Sequence, residues 1–453
     1  MSAECSILRP VFSYTSGVIM SLDALECQMS NSIWSRLKPW VAVSAAAVFF
    51  FFQFIQINML NSLGGALYSY FNTDSSGIAM IATSYFYGNV LLLIPAGIVL
   101  DRCSTRRVLL IVVSVLILSI VGFAMAHTVM QALIARFVCG VTGAFCLLGV
   151  VRVASRWFPP SRMAFVIGLA ITFAMTGGMV AQTPMSELVQ HYGVFTTLMV
   201  DAGLGCFFLL FMFLFLKDYP AGQEQEVSSG EFDYKAFVLD FVSVLKNAQN
   251  WLAGLYASLI NLPVFLLGGF ALDQYLGQVA HLPLHDASVV SEMFFIGLII
   301  GCPLFGWLSD KIQRRKMPMI VGSILSIIVM LLIMHYPYVS FAAQQGLFFL
   351  LGLSISSQTI AYPLVAESNS KKLTGSANSI ASFLIMSGGF TITWFTRLLN
   401  SHWDHSYSGA TPMYKLSDFH NAFMMMLVAF ILSLIISFLL KETNCKGLQE
   451  PAE

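Results

Sequence analysis

The sequence has few charged residues. Asp, Glu, Lys and Arg make up 10% of its 453 positions, whereas 57% are apolar and the mean hydropathy is +0.78. A soluble domain cannot hide that much apolar surface from water. The composition therefore excludes a soluble globular protein, and the long apolar runs at 41–52 and 423–440 are typical of helices in a bilayer.

Several chemical motifs are also missing. The sequence holds no Walker-type Gly-Lys loop, no nucleophile elbow and no His-Glu-x-x-His pattern. It holds no basic tract with interleaved aromatic residues, and its net charge is zero. We therefore predict a protein that is not an enzyme, that uses no cofactor or bound nucleotide and that binds no nucleic acid.

The cysteines and histidines predict neither a disulfide framework nor a metal site. All eight cysteines fall in predicted spans, cytoplasmic loops or tails, with none in a predicted external loop. Two histidine groups lie in external loops, but neither forms a structured set of metal ligands. These groups are His281, His285 and Asp286, and His402, Asp404 and His405.

Twelve apolar stretches of about 20 residues are each long enough to cross a bilayer. Their centres lie near residues 51, 88, 117, 142, 174, 206, 261, 297, 326, 353, 385 and 430. An even number puts both termini on one side, and 20 of the 23 Lys and Arg residues fall in the tails and loops of that side. By the positive-inside rule this side is cytoplasmic, and we expect a multi-pass protein of a bacterial inner membrane.

A polar stretch divides the twelve spans into six and six. We predict an all-α membrane protein with 12 transmembrane helices in five regions. These are a cytoplasmic N-terminal tail (1–38), an N-terminal six-helix half (39–216), a cytoplasmic linker (217–249), a C-terminal six-helix half (250–440) and a cytoplasmic tail (441–453). The sequence leaves open whether Met1 or Met29 is the start.

Two loops between spans repeat each other at an offset of 209 residues. The matched positions are Gly97, Asp101, Arg102 and Arg106 in the first half, and Gly306, Asp310, Lys311 and Arg315 in the second. A carboxylate at such a helix end can face the positive N-terminus of a helix in the opposite half. We expect Asp101 to meet residues 375–378 and Asp310 to meet residues 161–163, and we predict that these contacts form a cytoplasmic gate. The alternative is that the basic residues only set the topology.

This repeat resembles the major facilitator superfamily. The superfamily's signature between helices 2 and 3 is a Gly, three residues, an Asp, a basic residue, then a second Gly and further basic residues. The resemblance covers residues 34–441 and departs at Ser104 and Gln313, which replace the second glycine. It implies two six-helix halves related by a pseudo-two-fold axis, and transport by alternating access.

The fourth predicted helix carries a charge inside the membrane. Arg136, Gly140 and Gly143 lie within about 60° of one another on a helix. A charge at this depth must face the bundle interior or water, so Arg136 is a candidate for binding a substrate anion or for proton coupling. The alternative is a structural Arg whose donors bind backbone carbonyls. Arg152 and Arg156 are expected to reach the cytoplasmic head groups.

Polar residues in the middle of the spans are the candidates for binding a solute. We predict eight substrate-binding residues: Gln53, Gln56, Asn61, Tyr85, Arg136, Asn261, Gln358 and Tyr362. Pro263 and Pro363 predict helix breaks beside the last three, and such breaks free backbone groups for a solute. The alternative for each residue is an ordinary hydrogen bond between helices.

An acidic residue near the external end of the eighth predicted helix is the candidate for proton coupling. This residue is Glu292, which we place in the first turn of that helix after a Ser288 cap. The alternative is a carboxylate that only gains from the helix dipole.

The sequence as a whole predicts a monomeric secondary transporter that carries a small polar organic solute across the bilayer. A dipeptide and an organic anion are the leading solutes, and a proton is the candidate coupling ion. The run 136–143, followed by Arg-Trp-Phe-Pro-Pro at 156–160, resembles lysosomal dipeptide transporters and their bacterial relatives, although Ala144 and Phe145 stand where that family has an acidic site residue. Arg136 favours a carboxylate. The alternative is a receptor or sensor on the same fold that does not transport.

Overall fold

The computed structural model describes residues 22–71, 73, 75–220, 242–401, 407–408, 411–412 and 414–447. Over these ranges the chain is a bundle of helices, and 11 stretches are long and apolar enough to cross a bilayer. A further crossing is made by the stretch 248–278, which is broken into shorter helices. The fold is therefore the predicted all-α membrane fold of twelve transmembrane helices.

Six helices form the N-terminal half. They are α1 (Leu22–Phe71), α2 (Ser75–Arg102), α3 (Thr105–Ala124), α4 (Val129–Gly143), α5 (Cys146–Trp157) and α6 (Pro160–Phe215). Helices α4 and α5 together make one crossing, whereas α6 makes two, at Pro160–Ala181 and Glu187–Phe215. Helix α6 is kinked at Gly193, near the start of the second of these stretches, and the φ of 77° there suits a residue without a Cβ.

The C-terminal half contains more and shorter helices. They are α7 (Ala248–Ile260), α8 (Leu262–Leu266), a π-helical turn (Leu267–Ala271), α9 (Leu272–Gln278), α10 (Leu284–Ile312), α11 (Lys316–His335), α12 (Phe341–Ile355), a 3-10 helix (Ser356–Ile360), α13 (Ala361–Glu367), a 3-10 turn (Lys371–Leu373), α14 (Thr374–Ser387), a 3-10 turn (Gly388–Phe390), α15 (Thr391–Leu399) and α16 (Leu416–Leu439). Before α16, strands β1 (Tyr407–Ser408) and β2 (Thr411–Pro412) pair antiparallel, with Tyr407 opposite Pro412.

One of the two predicted helix breaks lies where the sequence placed it. Helix α7 ends at Ile260, and Asn261 separates it from α8, in which Pro263 is the second residue. The other break lies just before Pro363, because the 3-10 helix Ser356–Ile360, which contains Gln358, interrupts the crossing and Pro363 is the third residue of α13. Proline is tolerated in the first turn of a helix, where its missing N–H has no intrahelical partner.

The 209-residue repeat is visible in how the helices cross. A Cβ on Gly88 of α2 would lie 2.2 Å from the carbonyl oxygen of Phe137 in α4, and a Cβ on Gly297 of α10 would lie 2.1 Å from that of Phe349 in α12. Only a residue without a side chain permits this approach, which is how small residues pack membrane helices. Because 88 and 297 differ by 209, the two halves share this crossing.

Parts of the predicted tails and linker lie outside the described residues. Helix α1 begins at Leu22, within the predicted N-terminal tail, and its membrane-crossing part begins at Leu37. Residues 1–21, 221–241 and 448–453 are not among those described, nor are His402, Asp404 and His405. In the described part of the chain, no group of three or more His, Cys, Asp or Glu side chains could hold a metal ion.

Candidate solute site and gate

A cluster of polar side chains is buried inside the N-terminal half. Gln53 and Gln56 come from α1, Tyr85 from α2 and Arg136 from α4, and each is at most 2% exposed. In a membrane-spanning helix the backbone is already hydrogen-bonded, so polar side chains turn inward and find partners on neighbouring helices. The structure therefore brings together four of the eight predicted substrate-binding residues.

Arg136 lies in this cluster without a carboxylate partner. Its Nη1 donates to the backbone carbonyl of Gln56 at 3.0 Å, and its guanidinium carbon lies 5.3 Å from the centroid of the Tyr85 ring. Its Nε is buried and has no hydrogen-bond acceptor. Among the described residues, no carboxylate oxygen lies within 4.0 Å of its nitrogens. The described contacts of the cation are a carbonyl, an aromatic face and Cys139 Sγ, which lies 4.0 Å from its Nη1.

Gln53 links the cluster to α4. Its Nε2 donates to the Tyr85 hydroxyl at 2.9 Å and to the Cys139 carbonyl at 3.2 Å, while its Oε1 is buried without a donor. Asn89 is similar, because its Nδ2 donates to the Gly140 carbonyl at 3.4 Å and its Oδ1 has no donor. Gln56 Oε1 is also buried without a donor, so the cluster presents one cation and three free amide oxygens.

The sequence analysis missed an acidic member of this cluster. Asp201 of α6 is 1% exposed, and its Oδ2 accepts a hydrogen bond from Gln56 Nε2 at 2.7 Å. Its Oδ1 is buried and unpaired. The signal was available, because Asp201 is an acidic residue inside the sixth predicted span, where ionisable groups are rare and functional.

The other predicted site residues do not join the cluster. Asn261, Gln358 and Tyr362 are buried in the C-terminal half, and in the described structure no hydrogen bond connects them to it. The side chain of Asn61 is not among those described. Glu292 is exposed and lies eight residues after the start of α10, which is capped by Pro283, so the predicted first-turn position after a Ser288 cap is wrong.

A cavity of about 400 Å³ lies beside α2 and α14, away from the polar cluster. Tyr87, Leu91, Phe137 and Phe390 are among its lining residues. Its walls are mostly apolar, and it contains none of the eight predicted substrate-binding residues.

Asp101 ties the two halves together at one end of the bundle. Its Oδ1 accepts from the backbone N–H of Gly375 at 2.7 Å, and its Oδ2 accepts from that of Ser376 at 2.6 Å. These N–H groups belong to the first turn of α14, where a carboxylate also meets the positive end of the helix dipole. We call the end of the bundle that holds Asp101, Asp310 and the segment 441–447 the gate end.

Two neighbours support Asp101. A Cβ on Gly97 would lie 2.5 Å from the Gly375 carbonyl oxygen, so α2 and α14 are in backbone contact. Arg152 Nε lies 3.4 Å from Asp101 Oδ1, and its Nη1 donates to the Lys371 carbonyl. The expectation that Arg152 reaches the lipid head groups is therefore wrong, because a buried carboxylate and a carbonyl are closer partners.

Asp310 makes the equivalent contact on the other side of the gate end. Its Oδ2 accepts from the backbone N–H of Phe165 in α6 at 2.8 Å. This partner lies two residues beyond the predicted stretch 161–163. The shift follows from the packing of α10 on α6. Gly306 lies against Ala164, because a Cβ on Gly306 would be 2.5 Å from the Ala164 carbonyl oxygen. Asp310 is one helical turn after Gly306, so this backbone contact determines its position beside α6.

Arg315 is fully buried beside Asp310. Its Nη1 lies 2.5 Å from Asp310 Oδ1, its Nη2 lies 2.5 Å from Glu367 Oε1, and Nη2 also donates to the Pro160 carbonyl at 2.7 Å. Burial by itself disfavours the charge, but the hydrogen-bonded Glu367 and then Asp310 outweigh it and raise the pKa of Arg315. One guanidinium thus joins the start of α6, the end of α10 and the end of α13.

The other predicted gate residues stay within their own halves. Lys311 Nζ lies 4.6 Å from the centroid of the Trp307 ring, and Arg106 Nη2 donates to the Phe213 carbonyl at 2.8 Å. Arg102 is partly buried at the end of α2. Of the predicted gate residues, the two glycines, the two aspartates and Arg315 are thus the ones whose described contacts reach the opposite half.

Comparison with known families matches the profile described as Major Facilitator Superfamily to residues 46–393 and 265–452. The chain belongs to the major facilitator superfamily. This family and fold are those of membrane transporters, and the chain is a multi-pass membrane protein of this type.

Individual superfamily members resemble the chain more distantly. The "Probable anion transporter 6" of Oryza sativa subsp. japonica is 22% identical over 54% of this chain and 59% of its own length. The "Hexuronate transporter" of Bacillus subtilis is 22% identical over 53% of this chain and 57% of its own. The alignments thus span little more than half of each relative. The outward-conformation crystal structure of the superfamily transporter FucP superposes with a TM-score of 0.71 over 89% of this chain and 99% of that chain, at 14% identity.

The two departures from the superfamily signature have local explanations. Ser104 is the N-cap of α3, where its Oγ accepts from the Arg107 N–H at 3.3 Å and donates to Asp218 Oδ2 at 2.5 Å. Gln313 is the C-cap of α10 and has a φ of 53°. This left-handed conformation is the one that glycine adopts most easily, so Gln313 holds a glycine conformation at a cost in strain.

Each half has an acidic residue after its last helix that caps the start of another helix. Asp218 caps α3 in the N-terminal half, and Glu442 caps the equivalent helix α11 in the C-terminal half. Asp218 Oδ1 accepts from the Arg106 N–H at 2.7 Å. Glu442 accepts from the N–H groups of Arg315 and Lys316, at 2.7 Å and 3.0 Å. The sequence analysis missed both acids, because each lies more than 100 residues from the helix that it caps.

Proposed function

We propose that this superfamily member is a secondary transporter of a small organic anion, moved by alternating access and coupled to a proton. The observation that carries the proposal is Arg136, a guanidinium that is 2% exposed and has a free Nε–H. Buried guanidinium groups are normally paired with carboxylates. A carboxylate of the solute supplies the missing acceptor, and the planar guanidinium suits a carboxylate better than an ammonium does.

The groups around Arg136 favour a hydroxylated acid. Gln53 Oε1 and Asn89 Oδ1 are free acceptors in the same cluster, so each can accept a hydrogen bond from a hydroxyl group of the solute. A sugar acid combines one carboxylate with several hydroxyls. The names of the anion and hexuronate relatives agree with this class of solute.

Alternating access requires the gate end to open and close. The contacts of Asp101 with α14 and of Asp310 with α6 join the two halves at the gate end, so the solute enters from the opposite end in this state. We place the gate end in the cytoplasm, on the evidence of the Lys and Arg distribution, and the protein in the cell membrane. One chain supplies both six-helix halves, so a monomer suffices.

The test is uptake by liposomes that contain the purified full-length protein. The radiolabelled probes are D-glucuronate, L-glutamate, a neutral dipeptide and L-fucose. We expect uptake of D-glucuronate and no uptake of the neutral fucose. Arg136→Gln should lower anion uptake about 100-fold, the loss of roughly 3 kcal/mol for a buried charged pair. Arg397→Gln is the matched control, because Arg397 is exposed and stacks on Trp394.

Each other outcome has a distinct meaning. Uptake of the dipeptide instead of the acids would replace the anion by a peptide as the solute. Binding of D-glucuronate without uptake would support a receptor or sensor. Equal uptake by wild type and Arg136→Gln would remove Arg136 from the solute site.

A further inference from the structure

Asp201 is a buried acid that the proposed solute site leaves unused. It lies in the second crossing of α6, where its neighbour Val200 is 51% exposed and Asp201 itself is 1% exposed. The acid therefore faces the bundle interior while the adjacent residue faces outward. An ionisable side chain in a membrane crossing persists only with a structural partner or a function.

Gln56 holds Asp201 and Arg136 in one network. Its backbone carbonyl accepts from Arg136 Nη1 at 3.0 Å, and its side-chain Nε2 donates to Asp201 Oδ2 at 2.7 Å. Arg136 and Asp201 do not form a direct ion pair within 4.0 Å. The two charges are thus neighbours in one low-dielectric cluster, and each changes the energy of the other.

Few other groups can influence Asp201. From α4, Arg136 and the Cys139 thiol face it, and from α1 its neighbour is the neutral Gln56. The basic residues of α3, Arg106 and Arg107, lie at the first turn of that helix, at the gate end. Within the described structure Arg136 is therefore the one fixed cation that interacts with Asp201.

Two acceptors of this pair have no hydrogen-bond donor. They are Asp201 Oδ1 and Gln56 Oε1, and both are buried. One proton on Asp201 supplies a donor for Gln56 Oε1, because the carboxyl O–H can donate to it after a 180° flip of the Gln56 amide. The site can therefore hold Asp201 in either protonation state.

Charge balance connects this proton to the solute. With the site empty, the Arg136 cation and the Asp201 carboxylate sum to zero. A bound monovalent anion would leave one buried negative charge in excess, and a proton on Asp201 restores zero. Uncompensated buried charge is strongly unfavourable, so the empty state and the state with both anion and proton are the two favoured states.

We propose that Asp201, and not the exposed Glu292, binds the transported proton, so that anion and proton cross together one to one. This rests on the proposed function for the identity of the solute. The proton enters from water at the end opposite the gate end, binds a carboxylate oxygen of Asp201, and leaves to water when the gate end opens. No covalent bond of the solute changes.

The first experiment compares D-glucuronate uptake by wild type, Asp201→Asn, Glu292→Gln and Glu187→Gln in liposomes. Asparagine resembles the protonated acid, so Asp201→Asn should keep exchange of labelled for unlabelled D-glucuronate and lose accumulation driven by a pH gradient, about tenfold for one pH unit. Glu187→Gln, an exposed acid of the same helix, should keep both. Pronounced accumulation by Asp201→Asn, or its loss in Glu292→Gln alone, would overturn the proposal.

A second variant, Gln56→Met, tests the proposal independently if Asp201→Asn does not fold. Gln56→Met removes the hydrogen bonds of Gln56 to both forms of Asp201, and the carboxylate loses more than the acid because a hydrogen bond to a charged group is the stronger one. The pH at half-maximal uptake should therefore rise by about one unit. An unchanged pH profile in a variant that still transports would contradict a proton on Asp201.

A third measurement separates failure of this proposal from failure of the proposed function. If wild type transports none of the probes, the solute assignment fails, but the proton on Asp201 can still be observed. Infrared difference spectra during a pH titration should show the C=O band of a protonated carboxyl in wild type and Glu187→Gln, and lose it in Asp201→Asn. The same band in all three proteins would exclude Asp201 as the titrating group.

Discussion

Asp101 and Gly375 are 274 positions apart in the chain, and a hydrogen bond of 2.7 Å joins the carboxylate of one to the backbone N–H of the other. The contact depends on two glycines, because Gly97 and Gly375 lie where a Cβ would meet the opposing backbone at 2.5 Å and 2.7 Å. Asp310 of the C-terminal half and Phe165 of the N-terminal half form the equivalent contact. Two short contacts of the same kind thus join the halves at the gate end.

Removal of the Asp101 charge should open the gate end more often. Asp101→Asn keeps the size of the side chain but loses charge-assisted hydrogen bonds to Gly375 and Ser376, which are worth about 2 kcal/mol. A cysteine introduced at the buried Ser379 in a cysteine-free background should then react with a maleimide about 30-fold faster. Equal rates in Asp101→Asn and in the control Glu187→Gln would contradict the gate.

The reactivity of the native cysteine thiols tests the contact of Asp310 and Arg315 at the gate end. Cys445 is buried, its Sγ lies 3.8 Å from the Ser309 carbonyl, and burial raises the pKa of its thiol to about 12. The thiolate is the reactive form, so at neutral pH the exposed Cys103 should react with N-ethylmaleimide while Cys445 does not. Glu367→Gln weakens the Arg315 pair and should expose Cys445, as mass spectrometry of the labelled peptides can show. Labelling of Cys445 in the unaltered protein would contradict a closed gate end.

Gln313 should be a point of backbone strain. Its φ of 53° disfavours any residue with a Cβ, by about 1 kcal/mol. Gln313→Gly should therefore raise the free energy of unfolding by up to about that amount, because the side chain is exposed and the described hydrogen bond that it loses is the local one from Nε2 to the Asp310 carbonyl. Thermal unfolding in detergent measures the change. Gln313→Ala is the control, since it removes the side-chain amide and keeps the strain, and a gain of the same size there would exclude this explanation.

The space beside Gly143 should be required by the polar cluster. A Cβ there would lie 2.4 Å from the Tyr85 hydroxyl and 2.7 Å from Gln53 Nε2, so Gly143→Ala must push these side chains apart. Anion uptake should fall about tenfold while the protein still folds, since the displaced atoms belong to side chains. Gly122→Ala is the matched control, because no atom lies within 4 Å of a Cβ at Gly122. Full uptake by Gly143→Ala would argue against this cluster as the solute site.

The fold was largely predictable because the bilayer imposes simple rules. Apolar length predicts the crossings, and the repeat of Asp101 and Asp310 at 209 residues predicts the two related halves. The kink at Gly193 was not predictable, because a glycine inside a long apolar run does not by itself mark a kink.

The candidate site was predictable only in part. Gln53, Gln56, Tyr85 and Arg136 share a cluster because each of these four polar side chains turns inward. The caps at Asp218 and Glu442 depend on contacts between distant parts of the chain, which no local pattern encodes. Asp201 is different. The sequence shows that it lies inside a predicted span, but only the structure shows that Gln56 and Arg136 are its neighbours.

The most direct test of the account is the accumulation of D-glucuronate by wild-type protein in liposomes under a fixed pH gradient, with the membrane potential clamped first at zero and then negative inside. If one proton accompanies one monovalent anion, no net charge moves. Accumulation should then reach about tenfold for one pH unit and should be the same at both potentials. No accumulation, or accumulation that follows the potential instead of the pH gradient, would contradict the coupled transport of an anion and a proton.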